Sequence, residues 1–409
     1  LDFFKLIYIY LIINLILQTK YINFKASQTM NIYEQAKKQS YFFIKENILK
    51  YNQLRNYDFG TNKRNNVSCL SPFLSHRILL EYNLINDVLK KHPYSKVEKF
   101  IQEVFWRIYW KGWLEIRPTV WSNFLYDLNT IQFDKVTYEN AINAKTEISS
   151  FNDWVYELKK FNYLHNHTRM WFASIWIFTL RLPWQLGAKF FLEHLKDGDA
   201  SSNTLSWKWV AGLQTKGKNY LANTKNIEKY TNNRYSNITL INTAVPKIDN
   251  FIPEIEKLPI RHNYKKYSDL VILDTDLFIF DRLQLLKDYN KIFVIFLDKK
   301  DRKIQISKNV FDFKKEIMSD INKYLPNSQL LSSKNFKQEI NKLKGIDIIY
   351  PNIGENLDFI SQLSKETNLK TNFLYRKIDL FSWKYCLKGF FNFKKNIPTI
   401  LDEIQSNYL

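Results

Sequence analysis

Glycine is scarce in this 409-residue chain: there are nine, with ten prolines, three methionines and two cysteines. The shortage goes with the absence of any G-x-G-x-x-G or P-loop stretch, so no glycine-rich phosphate loop is encoded. Cys69 and Cys386 stand far apart and form no metal motif. Two thiols exclude a four-cysteine iron–sulfur cluster within the chain. They suggest no disulfide framework either, which fits a reducing cytosol. Acidic residues are in deficit as well, 40 against 60 Lys and Arg, for a formal charge of +20. That surplus favours a polyanionic partner such as nucleic acid, or an anionic membrane surface. A composition bias toward Lys, Asn and Ile would produce the same number. Internal repeats are absent.

What is abundant is apolar and aromatic. Hydrophobic residues make up 45% of the chain and aromatics 16%, enough for sizeable cores, and the length predicts two domains. Residues 1 to 17 are apolar, but Asp2, Lys5 and Asn14 interrupt them and no small-residue cleavage site follows. Met30 opens an amphipathic stretch, so residues 1–29 are expected to be a tail or upstream sequence, with a membrane anchor as the alternative. No stable membrane partner is expected.

From Asn31 to about Tyr235 the pattern is helical. Between residues 96 and 115, Val97, Phe100, Ile101, Val104, Phe105, Ile108 and Tyr109 recur at helical spacing. Ser71-Pro72 predicts a helix start with Ser as N-cap and Pro at the first helical position. A further helix is expected over 168–180, ended by Pro183. Pro246, Pro253 and Pro259 punctuate a linker over 238–267. Beyond it, strand candidates at 269–274, 292–298, 346–350 and 371–375 alternate with helices near 281–289, 310–324, 334–343 and 355–367. That alternation predicts a parallel sheet in an α/β, Rossmann-like domain over 268–409. Asp274-Thr275-Asp276 at a strand end reads either as a metal site or as a solvated strand terminus, and no metal is expected.

The chemistry concentrates in residues 163–209. Asp197 and Asp199, then Asn203, then Trp207 and Trp209 follow within thirteen residues. A buried carboxylate needs a partner, and Arg169, upstream in the same tract, offers a guanidinium able to grip one bidentately. Two further blocks stand beside this tract. Val67 to Leu74 offers hydroxyls and free N–H groups at a helix start, suited to phosphate oxygens, though a capped helix explains it equally. In Phe100 to Trp110, Glu103, Trp106 and Arg107 share a helical face. Carboxylate, indole and cation together could grip a base and a phosphate; the bland reading is an internal Glu–Arg pair.

Taken together these blocks resemble the FAD-binding domain of the DNA photolyase/cryptochrome family. Its Thr-Ser-x-Leu-Ser-Pro segment looks like Val67 to Pro72, with Val67 replacing the Thr. Its Glu-x-x-Trp-Arg helix appears as Glu103, Trp106 and Arg107. Its His-Asn-x-x-Arg-Met run appears as His165, Asn166, Arg169 and Met170, and its Asp-Gly-Asp…Asn…Trp-x-Trp run as Asp197 to Trp209. The resemblance covers about residues 50 to 235. It implies a multi-domain protein whose all-α, photolyase-type FAD-binding domain (30–237) precedes the α/β domain. The family normally has the reverse order. Val271 to Asp281 faintly resembles the family's first α/β strand, which suggests a rearranged antenna-like domain; generic α/β patterning is an equal alternative.

The resemblance further implies FAD as cofactor, with the antenna chromophore unknown. Ser68, Leu70, Ser71 and Arg107 would hold its pyrophosphate. Arg169 and Asp197 would pair beside the flavin ring, Asp199 would meet the cofactor's polar edge, and Asn203 would face flavin N5. Glu103 and Asn166 would bind a flipped pyrimidine dimer, walled by Trp106 and Met170. Trp207 and Trp184 occupy the places of the family's inner relay tryptophans, and Tyr138 or Trp154 would have to be the outer one. Members repairing (6-4) photoproducts carry histidines where Asn166 and Met170 stand, so cyclobutane dimers are the implied substrate. His167 replaces a DNA-facing Arg. The implied activity is that of a cytoplasmic, monomeric deoxyribodipyrimidine photo-lyase acting on damaged DNA. A cryptochrome-like photoreceptor without repair activity is the alternative.

Overall fold

The computed structural model describes residues 31–214, 218–236, 238–240, 253–258 and 264–407. Residues 1–29, and most of the expected linker, lie outside the described residues. Among the described residues, twelve α-helices build the first part: α1 (Ile32–Glu46), α2 (Tyr51–Leu54), α3 (Ser71–Ser75), α4 (Glu81–Leu89), α5 (Tyr94–Glu115), α6 (Thr119–Thr130), α7 (Lys135–Ile142), α8 (Ser149–Phe161), α9 (Asn166–Ser174), α10 (Trp184–His194), α11 (Ala200–Val210) and α12 (Thr224–Tyr230). α5 is the axis of the part. Its apolar rows bury Val97, Phe100, Ile101, Val104, Phe105 and Ile108, as the 3.6-residue period requires. No described helix is long and apolar enough to cross a membrane.

Two local expectations are corrected. Ser71 is the first residue of α3, not its N-cap; Leu70 caps it without a side-chain bond, and Pro72 follows. Cys69 just before it takes a left-handed backbone, φ 50°, which turns the chain one residue earlier than the Ser-Pro signal suggests. The helix expected over 168–180 starts at Asn166 and loosens into a π-turn over Ile175–Thr179. The Leu180 N–H there reaches the Ile175 carbonyl, an i→i+5 bond.

The second part contains β1 (Asp269–Leu273), α13 (Leu283–Lys287), β2 (Lys291–Phe296), α14 (Lys308–Ser319), β3 (Ser328–Ser332), α15 (Ser333–Glu339), β4 (Gly345–Ile349), α16 (Glu355–Thr367) and β5 (Lys370–Leu374). All pairings are parallel, in the order β3-β2-β1-β4-β5. Strand β3 is absent from the four expected from sequence. It is an edge strand in which Leu331 alone is buried, so its hydrophobic signal is weak. Side chains alternate across the sheet. Leu270, Ile272, Ile292 and Val294 join the core shared with the helical part. Val271, Leu273, Phe293 and Ile295 face a second core with Ile346, Ile348, Phe336 and Phe359. The helical part therefore acts as one covering layer of the sheet.

The junction is ionic as well as apolar. Arg77, 1% exposed, donates to both carboxylate oxygens of Asp379 (2.6 and 2.8 Å) and to Asp276 (3.4 Å). Glu115 at the end of α5 accepts the Tyr350 hydroxyl (2.6 Å) and the Ile353 N–H (3.0 Å). At the start of α1, the Ile32 N–H donates to Asp320 (2.7 Å).

After β5 the chain leaves the sheet. Helices α17 (Lys377–Trp383), α18 (Phe390–Lys394) and α19 (Ile397–Asn407) return to the helical part, although sequence grouped residues 268–409 together. Their close approach depends on Gly112, where a Cβ would stand 2.4 Å from Trp383 and 2.7 Å from the Cys386 sulfur.

Candidate functional site

Two arginine–aspartate pairs mark the centre of the helical part. Asp199 is the N-cap of α11, accepting the Ser202 N–H (2.8 Å) and the Ser201 hydroxyl (2.7 Å) on one oxygen. Its other oxygen accepts Arg107 Nη2 at 2.7 Å, and Arg107 Nη1 reaches the Ser202 hydroxyl at 3.3 Å. Burial opposes a charge on Asp199, yet Arg107 and Lys111 outweigh it and hold the carboxyl well below the usual range. In the second pair, Arg169 of α9 grips Asp197 bidentately at 3.0 and 2.8 Å while its Nε donates to the Leu164 carbonyl. Burial disfavours the guanidinium charge there, but Asp197 more than restores it.

Behind Arg107 stands Glu81, fully buried. Its carboxylate lies 3.4 Å from Arg107 Nε, 3.2 Å from Lys111 Nζ and 3.2 Å from Arg77 Nε. Burial works against ionisation, but the three cations lower its carboxyl to about 2. Lys111 is pushed down to about 8 by burial and by Arg77. Sequence reasoning missed Glu81 and Lys111. A signal existed, since Glu103, Arg107 and Lys111 repeat every fourth residue and Arg77–Glu81 has the same spacing.

The 67–71 segment approaches the second pair through Tyr163, which bonds the Cys69 thiol and whose ring lies 5.2 Å from the Arg169 guanidinium. Cys69 is raised by burial and feels Tyr163, Arg64, Arg169 and Asp197 nearby. Leu70 is fully buried, and its N–H donates to the Ser68 hydroxyl at 3.4 Å. Ser71 is half-buried at the start of α3. Asn203, one turn into α11, donates to the Ala188 carbonyl at 2.8 Å. Segments 67–71, 103–107, 165–170 and 197–203 thus converge on one region, although they span more than 130 positions of the chain.

The three side chains expected to share a face of α5 have three different partners. Glu103 pairs with Arg55 (3.4 Å) and Lys99 (3.1 Å), not with Arg107. Trp106 lies parallel to Phe390 of α18, with ring centroids 3.6 Å apart. The carbonyl of Asn56, next to Arg55 in the chain, meets His167 Nδ1 at 3.0 Å. Loop 55–56 therefore bridges the Glu103 turn of α5 and the start of α9. There Asn166 is exposed and Met170 half-buried. Nothing in the sequence pointed to Phe390.

The tryptophans separate. Trp207 is 2% exposed, with Trp176, Phe172 and Phe191 as ring neighbours. Gly187 makes room for it, since a Cβ would lie 2.2 Å from its ring. Trp184 instead stacks on Phe124, with Lys208 over its ring. Tyr138 meets Trp176 at 5.9 Å, so an aromatic path runs Tyr138–Trp176–Trp207. Trp154 stacks on Trp171. Trp176 was not singled out from sequence.

A cleft of about 660 Å³, counting its open mouth, separates this cluster from the sheet. Its walls include Lys111, Asp199 and Ser201 on one side, and Asp274, Thr275 and Asn352 on the other. Asp274 and Asn352 follow β1 and β4, where the strand order reverses, the usual ligand crevice of such sheets. Asp274 and Asp276 are taken up by side chains, with Lys314 and Asn356 on the first and Arg376 on the second. No group of three metal-ligating side chains occurs among the described residues.

Hydroxyls at 68 and 71, a guanidinium at 107, two carboxylates and an amide thus lie on the segments singled out from sequence. Residues 100–308, just over half the chain, match the family model described as the FAD binding domain of DNA photolyase. The deoxyribodipyrimidine photo-lyase of Buchnera aphidicola subsp. Baizongia pistaciae is 29% identical over 197 residues, 46% of this chain and 40% of the relative. That of Streptomyces griseus is 30% identical over 150 residues, 36% of this chain and 33% of the relative. The chain thus spans less than half the length of either. Among solved structures, a bacterial class III photolyase from Agrobacterium tumefaciens superposes with a TM-score of 0.42 at 22% identity, over 48% of this chain and 42% of that one. A Synechocystis cryptochrome gives 0.43 at 21%, over 48% and 43%. The family match over half the chain places this protein in the photolyase/cryptochrome family of FAD-binding proteins.

Proposed function

We propose that this chain is a light-dependent DNA-repair enzyme, a deoxyribodipyrimidine photo-lyase acting on cyclobutane pyrimidine dimers. The observation that carries the reading is the convergence of Arg107–Asp199 and Arg169–Asp197 with the 67–71 segment. Ser68, Leu70, Ser71 and Arg107 hold the FAD diphosphate, and Arg169, Asp197, Asp199 and Asn203 surround the flavin. Asn203 commits one amide N–H to the Ala188 carbonyl, which leaves its side-chain oxygen and its second N–H for the ligand. When bound, reduced FAD would supply a light-driven electron to the dimer and take it back once the cyclobutane ring has split, so that the cycle is redox-neutral.

The remaining roles belong to the protein. A damaged nucleotide is cheaper to unstack than a sound one. Glu103, oriented by Arg55 and Lys99, accepts a hydrogen bond from the extruded base, and Asn166 adds a second polar contact. Trp106 and Met170 form the apolar wall. Trp207, with Trp176 and then Tyr138 beside it, carries electrons inward to keep the cofactor reduced. Trp184, expected in that relay from sequence, is stacked on Phe124 and lies off this path. In the same reading the sheet is the family's α/β domain, here following the helical one and joined to it through residues 238–267.

The test is to irradiate the FAD-loaded, reduced protein with dimer-containing DNA under blue light. Dimers should disappear relative to a dark control. Unchanged dimer content, with light-dependent binding of a protein partner instead, would identify a photoreceptor. Trp106→Ala should weaken binding to dimer-containing DNA by about 1–3 kcal/mol, one lost base stack, while FAD stays bound; flavin loss with DNA affinity intact would invert the assigned faces.

A further inference from the structure

The stretch after α17 runs antiparallel to α5 and is fastened to it at successive points. Arg117 donates to the Cys386 and Leu387 carbonyls (3.3 and 2.7 Å). The Tyr109 hydroxyl donates to the Lys388 carbonyl at 3.0 Å. Phe390 lies flat on Trp106, and Lys394 reaches Glu98 at 3.5 Å. Phe390 is 6% exposed while Trp106 is only half-buried. Phe390 therefore backs the indole and leaves its other surface accessible.

The outward side of the stretch is unusual. Phe391, next to Phe390, is 79% exposed, the most exposed large apolar side chain among the described residues, and Leu387 is 51% exposed. Lys384, Lys388 and Lys395 are exposed around them. No acidic residue occurs between Asp379 and Asp402, and Asp379 itself is consumed by Arg77. Lys384 lies over the Phe381 ring, and among the described residues Lys384, Lys388 and Lys395 make no ion pair. Exposed phenyl and leucyl groups among such lysines form the pattern that holds a nucleic-acid strand, with cations on phosphates and a ring under an unpaired base.

We infer that Lys384–Lys395 is a second nucleic-acid-binding element, which extends the surface beyond Trp106 and stacks Phe391 on a base beside the lesion. Its place next to the lesion rests on the role proposed for Trp106; its affinity for nucleic acid does not. Self-association through the patch is disfavoured, because a chain of +20 brings like charge to like.

The experiment compares the full-length, FAD-loaded parent with Lys384→Gln/Lys388→Gln/Lys395→Gln and with Phe391→Ala. All substituted side chains are exposed, and circular dichroism checks the fold. Fluorescence anisotropy follows binding to single-stranded DNA and to one duplex with and without a single dimer, across a salt series. The triple variant should lose affinity for both duplexes about equally, and its salt dependence should flatten by roughly 2–3 units of log–log slope, about one per lost phosphate contact. Phe391→Ala should bind single-stranded and dimer-containing DNA about tenfold more weakly, with the slope unchanged. Parent-like affinity and slope in the triple variant would overturn the inference. So would a parent dimer in sedimentation that Phe391→Ala dissolves. The ratio of damaged to undamaged affinity and the photorepair assay report separately on the repair reading, so either conclusion can fail alone.

Discussion

The five-stranded sheet and the Arg107–Asp199 region reach order by opposite routes. In the sheet each strand carries its own instruction, since alternating residues of β1 and β2 divide between two cores and a one-residue slip would reverse every side chain. In the Arg107–Asp199 region no segment is self-sufficient. Arg107 needs Asp199, 92 positions away, and Glu81 needs Arg77, Arg107 and Lys111 together. Damage to the sheet should therefore scale with lost apolar contact. Damage to the ionic region should scale with charge left unpaired.

The largest test of that contrast is Arg77→Met. It strands Glu81, Asp276 and Asp379 with one cation fewer, and removing one partner of a buried ion pair costs about 3–5 kcal/mol. Urea unfolding should show this loss in a single transition, because the same guanidinium joins the helical part to the sheet unit. A value matching a plain loss of packing, or two separate transitions, would erase the distinction.

Acid should act on the ionic region in the same direction through several groups. Glu81 titrates near 2 in the fold against about 4.5 unfolded, so between those values the unfolded chain binds more protons and stability rises with pH. By that shift alone, about 3 kcal/mol present above pH 4.5 is lost as pH falls toward 2. His76 and His165, both held down to about 4 mainly by burial, add a loss between pH 6.5 and 4. Thermal midpoints from pH 7 to pH 3 should fall continuously; a flat profile would mean that these groups are less buried than their packing indicates.

Gly112→Ala probes close packing without charge. The added methyl meets Trp383 and Cys386, and overpacking of this kind costs about 1–3 kcal/mol. Binding of DNA should suffer with it, since the Phe390 support of Trp106 lies on the same returning stretch. Asp199→Ala removes an N-cap, about 1 kcal/mol, together with one of the two carboxylates on Arg107, whose charge Glu81 still balances, and it should weaken FAD retention about tenfold or more, measured by flavin fluorescence on dilution. Retention equal to the parent would remove Asp199 from the cofactor site.

Much of the architecture was legible in the chain. Helix α16 runs from 355 to 367 as its pattern indicates, and four of five strands fall within a residue or two of their apolar runs. The fifth, β3, escaped because an edge strand need not be apolar on both faces. The Arg169–Asp197 pair was also readable, since a buried carboxylate needs a cation and Arg169 stands in the same tract, 28 positions upstream. Glu103 was harder. Spacing placed it beside Arg107, but Arg55 from a separate loop reaches it instead.

The sequence alone determined the periodicities, the order of helices and strands, the basic surplus and the residue types of the four blocks, because these follow from local chemistry. The tertiary structure decided which charges face each other, that Trp176 rather than Trp184 adjoins Trp207, and that residues 377–407 return to cover α5. Those outcomes depend on which distant segments are brought within a few ångströms. Short-range forces between side chains act only after the chain has closed those loops.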